Sequence, residues 1–590
     1  MTLILAGTGA RRSAETRVAQ TSAPRRGGAP PLASPAPPPE LPRALRWLLG
    51  SGAYAATLGR RAPGSFFAVA PDPWPGDAEA GRRLLEGEFV ALGRGDHVVP
   101  GDGDPAWSRT SSDPGWRAAL NSFEWLRDLR ESGEPAAAAH ARALIEDWIA
   151  TQWRWSPLAW RRDVLATRMV AWIRHYDFLS AGADAGFAGR FVGALARQRR
   201  QLLRASGRAA GTPRGREAVL VLKAIAFADL AFSREGPRFA KSLDAALQRL
   251  GRHLKRYVLH DGVVSERAPQ LQLAVLRDLV DLRAALSSAD LRAPPEMLAA
   301  IDRLAPALRF FRHGDGGLAL FNGAAEGDRA TIDLVLARSG SADPPPPTLP
   351  VSGFQRLAAG TSLVLVDAGS PPGRGLDADA HAGTLSFEMS AAHERLIVNC
   401  GSHPSASPDW RFFMRYTAAH STAVVDDTNS SEVTAEGALE YRAGNVLVER
   451  ADRDGAHWLD MSHDGYRSLY GIVHRRRLWL SPDGGDLRGE DGFAGHEGRP
   501  VTVPDRRFIL RFHLHPAVKA TLAQSGQAVL MRLPSGRGWR LRASGAGIGL
   551  AESVYLASGE RLRRTEQIVL VGQVPREGTT VKWALTRMEG

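Results

Sequence analysis

Apolar residues recur at three- and four-residue spacing through the first half of the chain, and this period predicts amphipathic helices. Between positions 271 and 286, for example, one face carries Leu271, Val275, Leu279, Leu282 and Leu286. The same spacing predicts helices over residues 41–58, 118–130, 136–153, 164–179, 187–203, 218–232 and 239–258. Short loops with Gly or Pro separate these segments, so we expect antiparallel helical hairpins stacked as a solenoid or as a closed toroid.

The hydrophobic period changes after residues 341–350, whose sequence SADPPPPTLP predicts a stiff, extended linker. Beyond this linker, short apolar runs bounded by turn residues predict antiparallel strands. These runs cover residues 354–358, 362–367, 445–449, 474–480, 507–513, 528–533 and 567–571. The second half of the chain is therefore predicted to form a β-sandwich of two large sheets.

The first 40 residues differ from both halves. They are rich in Pro, Ala, Ser and Arg, and this composition predicts a disordered segment. Its opening, MTLILAGTGARR, places the arginines after a very short apolar run, which is the reverse of a secretory signal. No apolar run approaches the roughly 18 residues that a membrane-spanning helix needs. The sequence as written therefore does not support an exported location, which leaves the cytoplasm as an alternative, and it predicts no transmembrane segment.

Charge and cysteine content narrow the possible partners. The net charge is +12 and the basic residues are nearly all Arg, which suits an acidic partner. The alternative is that Arg replaced Lys through genomic base composition, because the basic residues are scattered. No nucleic-acid-binding motif accompanies them, so nucleic acid is not a predicted partner. The single cysteine, Cys400, excludes an intrachain disulfide, and oligomeric state is not indicated.

Two histidines stand in the most informative stretch, residues 377–420. His381 lies within DADAHAGTLSFE, and His420 follows RYTAA. Alternating apolar and polar residues over 384–389, followed by the apolar run 396–398, predict two short strands joined by a turn, with His381 entering the first strand. The two imidazoles are predicted either to share a metal or flank a substrate, or to form structural hydrogen bonds between sheets.

A set of short motifs spans residues 100–575. These are NSFEWLRDL (121–129), LATRMVAWI (165–173), HAGTLSFE (381–388), TAAHST (417–422), SHDGY (462–466), GED (489–491), RFHLHP (511–516) and QIVL (567–570). Together they resemble the heparinase II/III-like family. The resemblance implies an α+β multidomain fold: an N-terminal (α/α) toroid of helical hairpins over residues 41–340, then a C-terminal antiparallel β-sandwich over 341–590.

The resemblance also implies an activity, since family members of known chemistry are polysaccharide lyases. They act by β-elimination on glycans that contain uronic acid: a base removes the C5 proton, the carboxylate is neutralised and the glycosidic oxygen leaves with a proton. An acidic polysaccharide bound between the helical and β domains, and a cell-envelope or periplasmic location, follow from the resemblance. The alternative is a catalytically degenerate protein that binds a glycan or associates with the envelope or capsule.

Residues matching the family motifs supply the candidate catalytic site. The family's His-x-His-x-Asp pattern becomes Asp379-Ala-His381-Ala-Gly383, so Asp379 stands at the position of the family's catalytic His. We assign catalytic roles to Asp379, His381 and Tyr416. The family's Asn-His pair should fall where Arg214 and Arg216 stand, and its Tyr near Leu271, which follows Gln270. The candidate substrate-binding residues are Arg214, Arg216, Gln270 and Arg415.

The same motifs imply a metal site in the β domain. His381 and His420 keep two ligand positions, while the family's carboxylate is replaced by Asn399. Two imidazoles and an amide oxygen suit zinc, although Asn is neutral and a poorer ligand than Asp. The predicted metal ligands are therefore His381, Asn399 and His420, with hydrogen-bonded structural histidines as the alternative.

Overall fold

The computed structural model describes residues 42–59, 63–64, 66–67, 69–101, 107, 113–207, 211–233, 236–404, 406–435, 437–440, 442–558 and 562–588. The segment predicted to be disordered lies outside these residues, and the domain limits at residues 40 and 340 stay predictions. Two compact units divide the described residues. We call Pro38–Tyr257 with Ala274–Asp302 the helical unit, and Val258–Leu273 with Arg303–Gly590 the sheet unit.

Helices occupy the chain up to residue 339, as the apolar spacing predicts. They are α1 Arg43–Gly50, α2 Gly52–Leu58, α3 Ala78–Leu85, α4 Pro114–Ser122, α5 Leu126–Glu131, α6 Ala137–Thr151, α7 Arg162–Arg174, α8 Tyr176–Ser180, α9 Phe187–Ala205, α10 Gly215–Ala231, α11 Pro237–Tyr257, α12 Pro269–Ser288, α13 Pro295–Phe310 and α14 Arg329–Ser339. Two short helices follow within the second half, α15 Pro408–Phe413 and α16 Arg467–Tyr470. Among the described residues, none of these helices is both long and apolar enough to cross a membrane.

Three predicted helices are broken in the structure, and one of them, predicted over 164–179, divides at His175 between α7 and α8. Residues 41–58 form α1 and α2, because Ser51 adopts an extended conformation and its hydroxyl accepts the backbone N–H of Tyr54 at 3.1 Å. Residues 118–130 divide between α4 and α5, because Phe123 adopts a left-handed conformation with φ of 59°. Serine at a helix start and a left-handed residue at a helix end are both ordinary capping devices. Apolar spacing alone does not reveal such breaks.

Strands dominate after residue 347, apart from one early hairpin. They are β1 Glu88–Ala91, β2 Arg94–His97, β3 Thr348–Leu349, β4 Phe354–Ala359, β5 Ser362–Asp367, β6 Phe387–Ala391, β7 Glu394–Val398, β8 Ala423–Val425, β9 Glu432–Val433, β10 Leu439–Glu440, β11 Leu447–Arg453, β12 Ala456–Tyr466, β13 Ile472–Leu480, β14 Asp486–Gly495, β15 Arg506–Leu514, β16 Lys519–Ala523, β17 Ala528–Arg532, β18 Gly538–Ser544, β19 Gly547–Tyr555, β20 Arg563–Val574 and β21 Thr579–Arg587.

Two large antiparallel sheets form the sheet unit. One has eight strands in the order β11-β12-β13-β14-β21-β18-β17-β16, and the other has nine, in the order β19-β20-β15-β7-β6-β5-β4-β3 with β8 paired to β15. One apolar core takes side chains from both sheets, and Phe387 of one sheet stacks on Trp583 of the other at 5.7 Å. The predicted fold class, helices followed by antiparallel sheets, is confirmed.

A buried polar network within this core connects the two sheets. Asp491 on β14 accepts hydrogen bonds from His474 Nε2 at 2.8 Å, Arg476 Nε at 2.7 Å and Trp583 Nε1 at 2.8 Å. Arg476 also donates to the backbone carbonyls of Leu385 and Ser421 at 2.8 and 2.9 Å. Those two carbonyls belong to the segments that carry His381 and His420. The network therefore fixes the backbone on which the candidate site is built.

Candidate functional site

His381 and His420 both lie in loops of the sheet unit, not on strands. The predicted strand over 384–389 begins only at Phe387, because Leu385 adopts a left-handed conformation with φ of 61°. His420 follows a single 3-10 turn, Thr417–Ala419, and precedes β8. The prediction that His381 enters a strand is therefore wrong, although both histidines are buried, with 6% and 2% of their surface exposed.

The two imidazoles are hydrogen-bonded to each other. His381 Nδ1 lies 3.1 Å from His420 Nε2, and His420 Nδ1 lies 2.9 Å from the carbonyl oxygen of Tyr416. A carbonyl only accepts, so His420 must donate from Nδ1 and its Nε2 must be unprotonated. His381 then donates from Nδ1, which leaves its own Nε2 with a free lone pair. One backbone carbonyl thus sets the tautomers of both rings.

Burial keeps both rings neutral near neutral pH. It lowers the pKa of His420 to about 4, against a smaller opposing effect of the hydrogen bond to Tyr416. Burial also lowers the pKa of His381 well below its usual range, and the neighbouring His420 and Arg415 lower it further. A neutral imidazole with an exposed lone pair can accept a proton or a hydrogen bond, or bind a metal ion.

Arg415 positions the loop that carries His381. Its guanidinium donates three hydrogen bonds to backbone carbonyls: to Ala380 at 2.8 Å, Asp377 at 3.0 Å and Gly437 at 2.8 Å. Burial lowers the pKa of Arg415. With its donors engaged by the backbone, the predicted substrate-binding residue acts here as a structural clamp.

Asn322 and Gly383 complete the support of the pair. The side-chain oxygen of Asn322 accepts the backbone N–H of His381 at 3.1 Å, and its Nδ2 donates to the carbonyl of Arg267 at 2.9 Å. Gly383 faces the ring of His420 so closely that an added Cβ would lie 2.7 Å from Cδ2. Only glycine leaves room for the imidazole in this position.

A small cavity of about 140 Å³ opens beside the pair. It is lined by Gly323, Ala378, Asp379, His381, Ser402, Pro404, Pro408, Arg411, Phe412, Arg415, Ala435 and Gly437. A Cβ added to Gly323 would lie 3.6 Å from His381 Nε2 and 3.5 Å from the Cβ of Asp379. Within the described part of the chain, Arg411 Nε has no hydrogen-bond partner. The cavity thus combines a lone pair, a carboxylate and a guanidinium.

Tyr416 and Asn399 have different surroundings. The ring of Tyr416 packs against Phe412 and Phe413 with centroids 5.6 and 5.9 Å apart, and burial raises the pKa of its hydroxyl. Asn399 donates from Nδ2 to the buried Glu388 at 2.9 Å, and its Oδ1 accepts the backbone N–H of Ser421 at 2.9 Å. Both groups of the Asn399 amide are therefore used in holding the backbone.

These contacts do not fit a zinc site. A tetrahedral site needs a free nitrogen on each histidine and further ligands nearby. Both ring nitrogens of His420 are already hydrogen-bonded, and so is the Asn399 oxygen. No cluster of three or more His, Cys, Asp or Glu side chains suited to a metal ion occurs among the residues that the structure describes. Zinc binding stays a prediction that these contacts do not support.

Arg216 lines a second, charged cavity, of about 270 Å³, in the helical unit. Its guanidinium lies 3.6 Å from Asp278. Lys223 Nζ reaches Asp278 at 2.9 Å and Asp281 at 2.7 Å, and Arg174 lies 2.9 Å from Asp281. Burial raises the pKa of Asp281, but Lys223 and Arg174 outweigh it and lower the pKa overall. These charged side chains, which line the cavity, therefore pair with one another.

The two remaining substrate-binding candidates lie at helix starts. Arg214 is exposed and precedes the first residue of α10. Gln270 is the second residue of α12, belongs to the sheet unit, and its buried Oε1 has no hydrogen-bond partner within the described residues. The structure therefore gathers Asp379, His381 and Arg415 around one cavity, places Arg216 at another, and leaves Arg214 at the surface.

Comparison with known proteins identifies the family. The chain matches the family model described as "Heparinase II/III-like, C-terminal" over residues 341–584. It is 33% identical over 552 residues to FtsZ-localized protein C of Caulobacter vibrioides, which covers 92% of this chain and 93% of that protein. The chain belongs to the heparinase II/III-like family. The family resemblance and the fold that it implies are thus confirmed.

Solved structures with a heparinase II/III-like fold match most of the chain. The crystal structure of heparinase III matches with a TM-score of 0.71 at 12% identity, covering 91% of this chain and 89% of that one. A mutant of the heparan sulfate lyase HepC of Pedobacter heparinus matches with a TM-score of 0.63 at 15% identity, covering 91% of this chain and 87% of that one. Chondroitin AC lyase of Streptomyces coelicolor matches with a TM-score of 0.53 at 12% identity, covering 92% of this chain and 80% of that one. At these identities the comparison establishes the fold alone.

Several groups that build the site were not found from the family motifs. Arg411 and Asn322 are ordinary polar residues in sequence, and only the fold brings them to His381. Lys223 did leave a signal, because it is the only charged residue in the apolar run AVLVLKAIAFA, residues 218–228 of α10. A charge at such a position must find a buried partner. Asp278 and Asp281, three residues apart on α12, provide it.

Proposed function

We propose that this heparinase II/III-like protein localises with FtsZ and does not cleave glycans. The similarity to FtsZ-localized protein C carries the proposal, since it extends over nearly the whole of both chains at 33% identity. The solved lyases are only 12–15% identical to this chain. A function shared with the more similar protein is therefore favoured over one shared with the lyases.

The charged groups within each unit support a role without cleavage. Arg415 donates to backbone carbonyls, and Lys223 and Arg174 pair with carboxylates. The two charged cavities measure about 140 and 270 Å³, whereas small-molecule sites usually occupy about 300–1,000 Å³. Neither cavity by itself offers the space that a uronic-acid polysaccharide needs.

Two measurements test this proposal. A fluorescent fusion of the full chain should form the same midcell bands as FtsZ in dividing cells, and should disperse when FtsZ is depleted. The purified chain should also co-sediment with GTP-assembled FtsZ and stay in the supernatant with unassembled FtsZ. A diffuse fusion together with absent co-sedimentation would refute the proposal. Fractionation of the same cells decides between the cytoplasm and the envelope.

A polysaccharide lyase is the second candidate, and the lone pair of His381 favours it. That nitrogen faces a cavity shared with Asp379 and Arg411. In β-elimination, Nε2 would take the C5 proton while Arg411 neutralises the uronate carboxylate, and the electron pair would form the C4–C5 double bond as the glycosidic oxygen leaves. An acidic glycan is then the substrate, and the leaving oxygen takes its proton from water.

Ultraviolet absorbance of the unsaturated uronate product tests this second candidate. Heparan sulfate, chondroitin sulfate, hyaluronan, alginate and polygalacturonate form a suitable panel. A lyase should give an absorbance gain that His381→Ala abolishes and that the control His260→Ala, an exposed histidine of the same unit, leaves unchanged. No gain on any glycan would exclude the lyase and leave the first proposal standing.

A further inference from the structure

The solvent-facing side of the eight-stranded sheet forms a broad depression of about 1,080 Å³. One row of side chains crosses it from strand to strand. Trp458 on β12 is the cross-strand neighbour of Trp479 on β13, and Trp479 is the neighbour of Arg488 on β14. The row continues from Arg488 to Ala584 on β21 and ends at Arg542 on β18. Five strands at their usual spacing make this row about 19 Å long.

The two tryptophans of this row are held in fixed positions without being buried. Trp458 is 50% exposed, and its ring centroid lies 5.8 Å from that of Trp479. The guanidinium of Arg488 lies over the ring of Trp479 at 4.9 Å, a cation–π contact. A large aromatic residue costs free energy when it is exposed to water. Two neighbouring tryptophans on an open face therefore indicate a surface that contacts something.

A second row runs beside the first and alternates in charge. Asp460, Arg477, Glu490 and Lys582 are successive cross-strand neighbours on β12, β13, β14 and β21. Arg477 lies 2.9 Å from Asp460 and 2.8 Å from Glu490, and Lys582 lies 3.7 Å from Glu490. Acceptors and donors thus alternate along the row, and their charges balance.

This alternation decides which class of ligand suits the face. A polyanion would meet the carboxylates of Asp460 and Glu490 as well as the cations, and so gains little net attraction. A protein interface of ordinary size has an apolar centre and a polar rim, whereas here the charged row lies beside the aromatic pair. Sugar hydroxyls both donate and accept, and the C–H faces of a pyranose ring pack on flat aromatic rings.

We propose that this sheet face binds an uncharged oligosaccharide of pyranose units. Sugar rings lie over Trp458 and Trp479, and their hydroxyls exchange hydrogen bonds with Asp460, Arg477 and Glu490. The site lies on the solvent side of the eight-stranded sheet and uses none of the residues around His381. It adds a binding activity to the proposed FtsZ association and does not depend on it.

Titration calorimetry on the full-length protein with chitohexaose and cellohexaose tests this site. Binding of at least one should weaken about tenfold or more in Trp458→Ala and in Trp479→Ala, a loss of about 1.4 kcal/mol. Trp458→Phe keeps a flat ring and should retain most of the affinity. The matched control is Trp47→Ala, which removes a 77% exposed tryptophan of the helical unit and should change nothing.

Three outcomes would overturn the assignment of this site. These are no binding of either oligosaccharide, binding that survives both alanine variants, and binding of a sulfated heparin hexasaccharide alone. Thermal melts of the Trp458 variants, whose side chain is exposed, verify that they are folded. Co-sedimentation of Trp458→Ala with FtsZ should equal that of the parent protein, so failure of one proposal does not entail failure of the other.

Discussion

At the scale of single residues, the candidate site is a chain of hydrogen bonds that begins at one carbonyl. The Tyr416 oxygen fixes the proton on His420, which in turn fixes the proton on His381 and exposes its Nε2. Charging His420 would put two donors face to face inside the protein. Charging His381 is opposed by its burial and by the neighbouring His420 and Arg415. The stability of the folded protein should therefore depend on pH through this pair.

Replacing His420 with Gln should flatten the acid side of the stability curve. In the folded chain the pKa of His420 is lowered to about 4 by burial, whereas an unfolded histidine titrates near 6.5. Below about pH 6.5 the unfolded state binds more protons, so the free energy of unfolding falls as pH falls toward 4. This one group should remove about 2 kcal/mol between pH 7 and pH 5.

Urea denaturation of the parent and of His420→Gln at pH 5, 6 and 7 measures this effect. The difference between the two free energies of unfolding should shrink by about 2 kcal/mol as pH falls from 7 to 5. His260→Gln changes an exposed histidine and should run parallel to the parent. Parallel curves for His420→Gln would show that the pair is charged or solvated in the folded protein.

Arg415 and Arg411 line the same cavity, but replacing each with neutral Gln should have very different effects on the stability of the protein. Arg415→Gln removes donors from three backbone carbonyls, and unsatisfied buried groups cost about 1–3 kcal/mol each, so we expect a loss of roughly 3 kcal/mol or more. Arg411→Gln should change stability by less than about 0.5 kcal/mol. Chemical denaturation compares them directly, and equal losses would contradict the assignment of Arg415 as the clamp.

At the scale of elements, the buried network on β13, β14 and β21 holds the site loops in place. Asp491→Asn removes the charge that pairs with Arg476 and leaves that guanidinium buried and uncompensated. Breaking a buried ion pair in this way typically costs about 3–5 kcal/mol. On the same strand, Glu490→Gln removes only a surface partner of Arg477 and Lys582 and should cost at most about 1 kcal/mol.

Thermal and urea unfolding of the two β14 variants provide the measurement. Because Arg476 also bonds the carbonyls of Leu385 and Ser421, Asp491→Asn should additionally shift the NMR resonances of His381 and His420. Glu490→Gln should leave those resonances in place. Similar destabilisation by both variants would mean that the network contributes no more than a surface pair.

The sequence predicted elements better than their ends and better than the site. Apolar spacing placed α6, predicted over 136–153 and observed over Ala137–Thr151, because its buried face is regular. It missed the break at Ser51, since a capping hydroxyl leaves no trace in hydrophobic spacing. It placed His381 on a strand, since alternation over 384–389 hides the left-handed turn at Leu385. The contacts of Arg411, Asn322 and Arg415 depend on loop paths that no period encodes.

At the scale of the whole molecule, the excess of positive charge is the property that the sequence alone determines. A net charge of +12 attracts polyanions at long range, whatever the identity of the specific ligand. Many of these cations are already paired, and the basic residues are scattered along the chain. A general attraction of this kind must be separated from specific binding before any glycan is assigned to the protein.

Salt dependence separates the two kinds of binding. The chain should be retained on immobilised heparin at about 50 mM salt and released by about 0.5 M, where the screening length falls to a few ångströms. Trp458→Ala and His381→Ala should elute with the parent, because neither changes the net charge. Binding of chitohexaose or cellohexaose to the sheet face should instead be nearly the same at both salt concentrations, because an uncharged ligand has no charge to screen. Retention on heparin at 0.5 M salt that His381→Ala abolishes would contradict a purely electrostatic interaction, and would place a specific acidic-glycan site at the cavity beside the histidine pair.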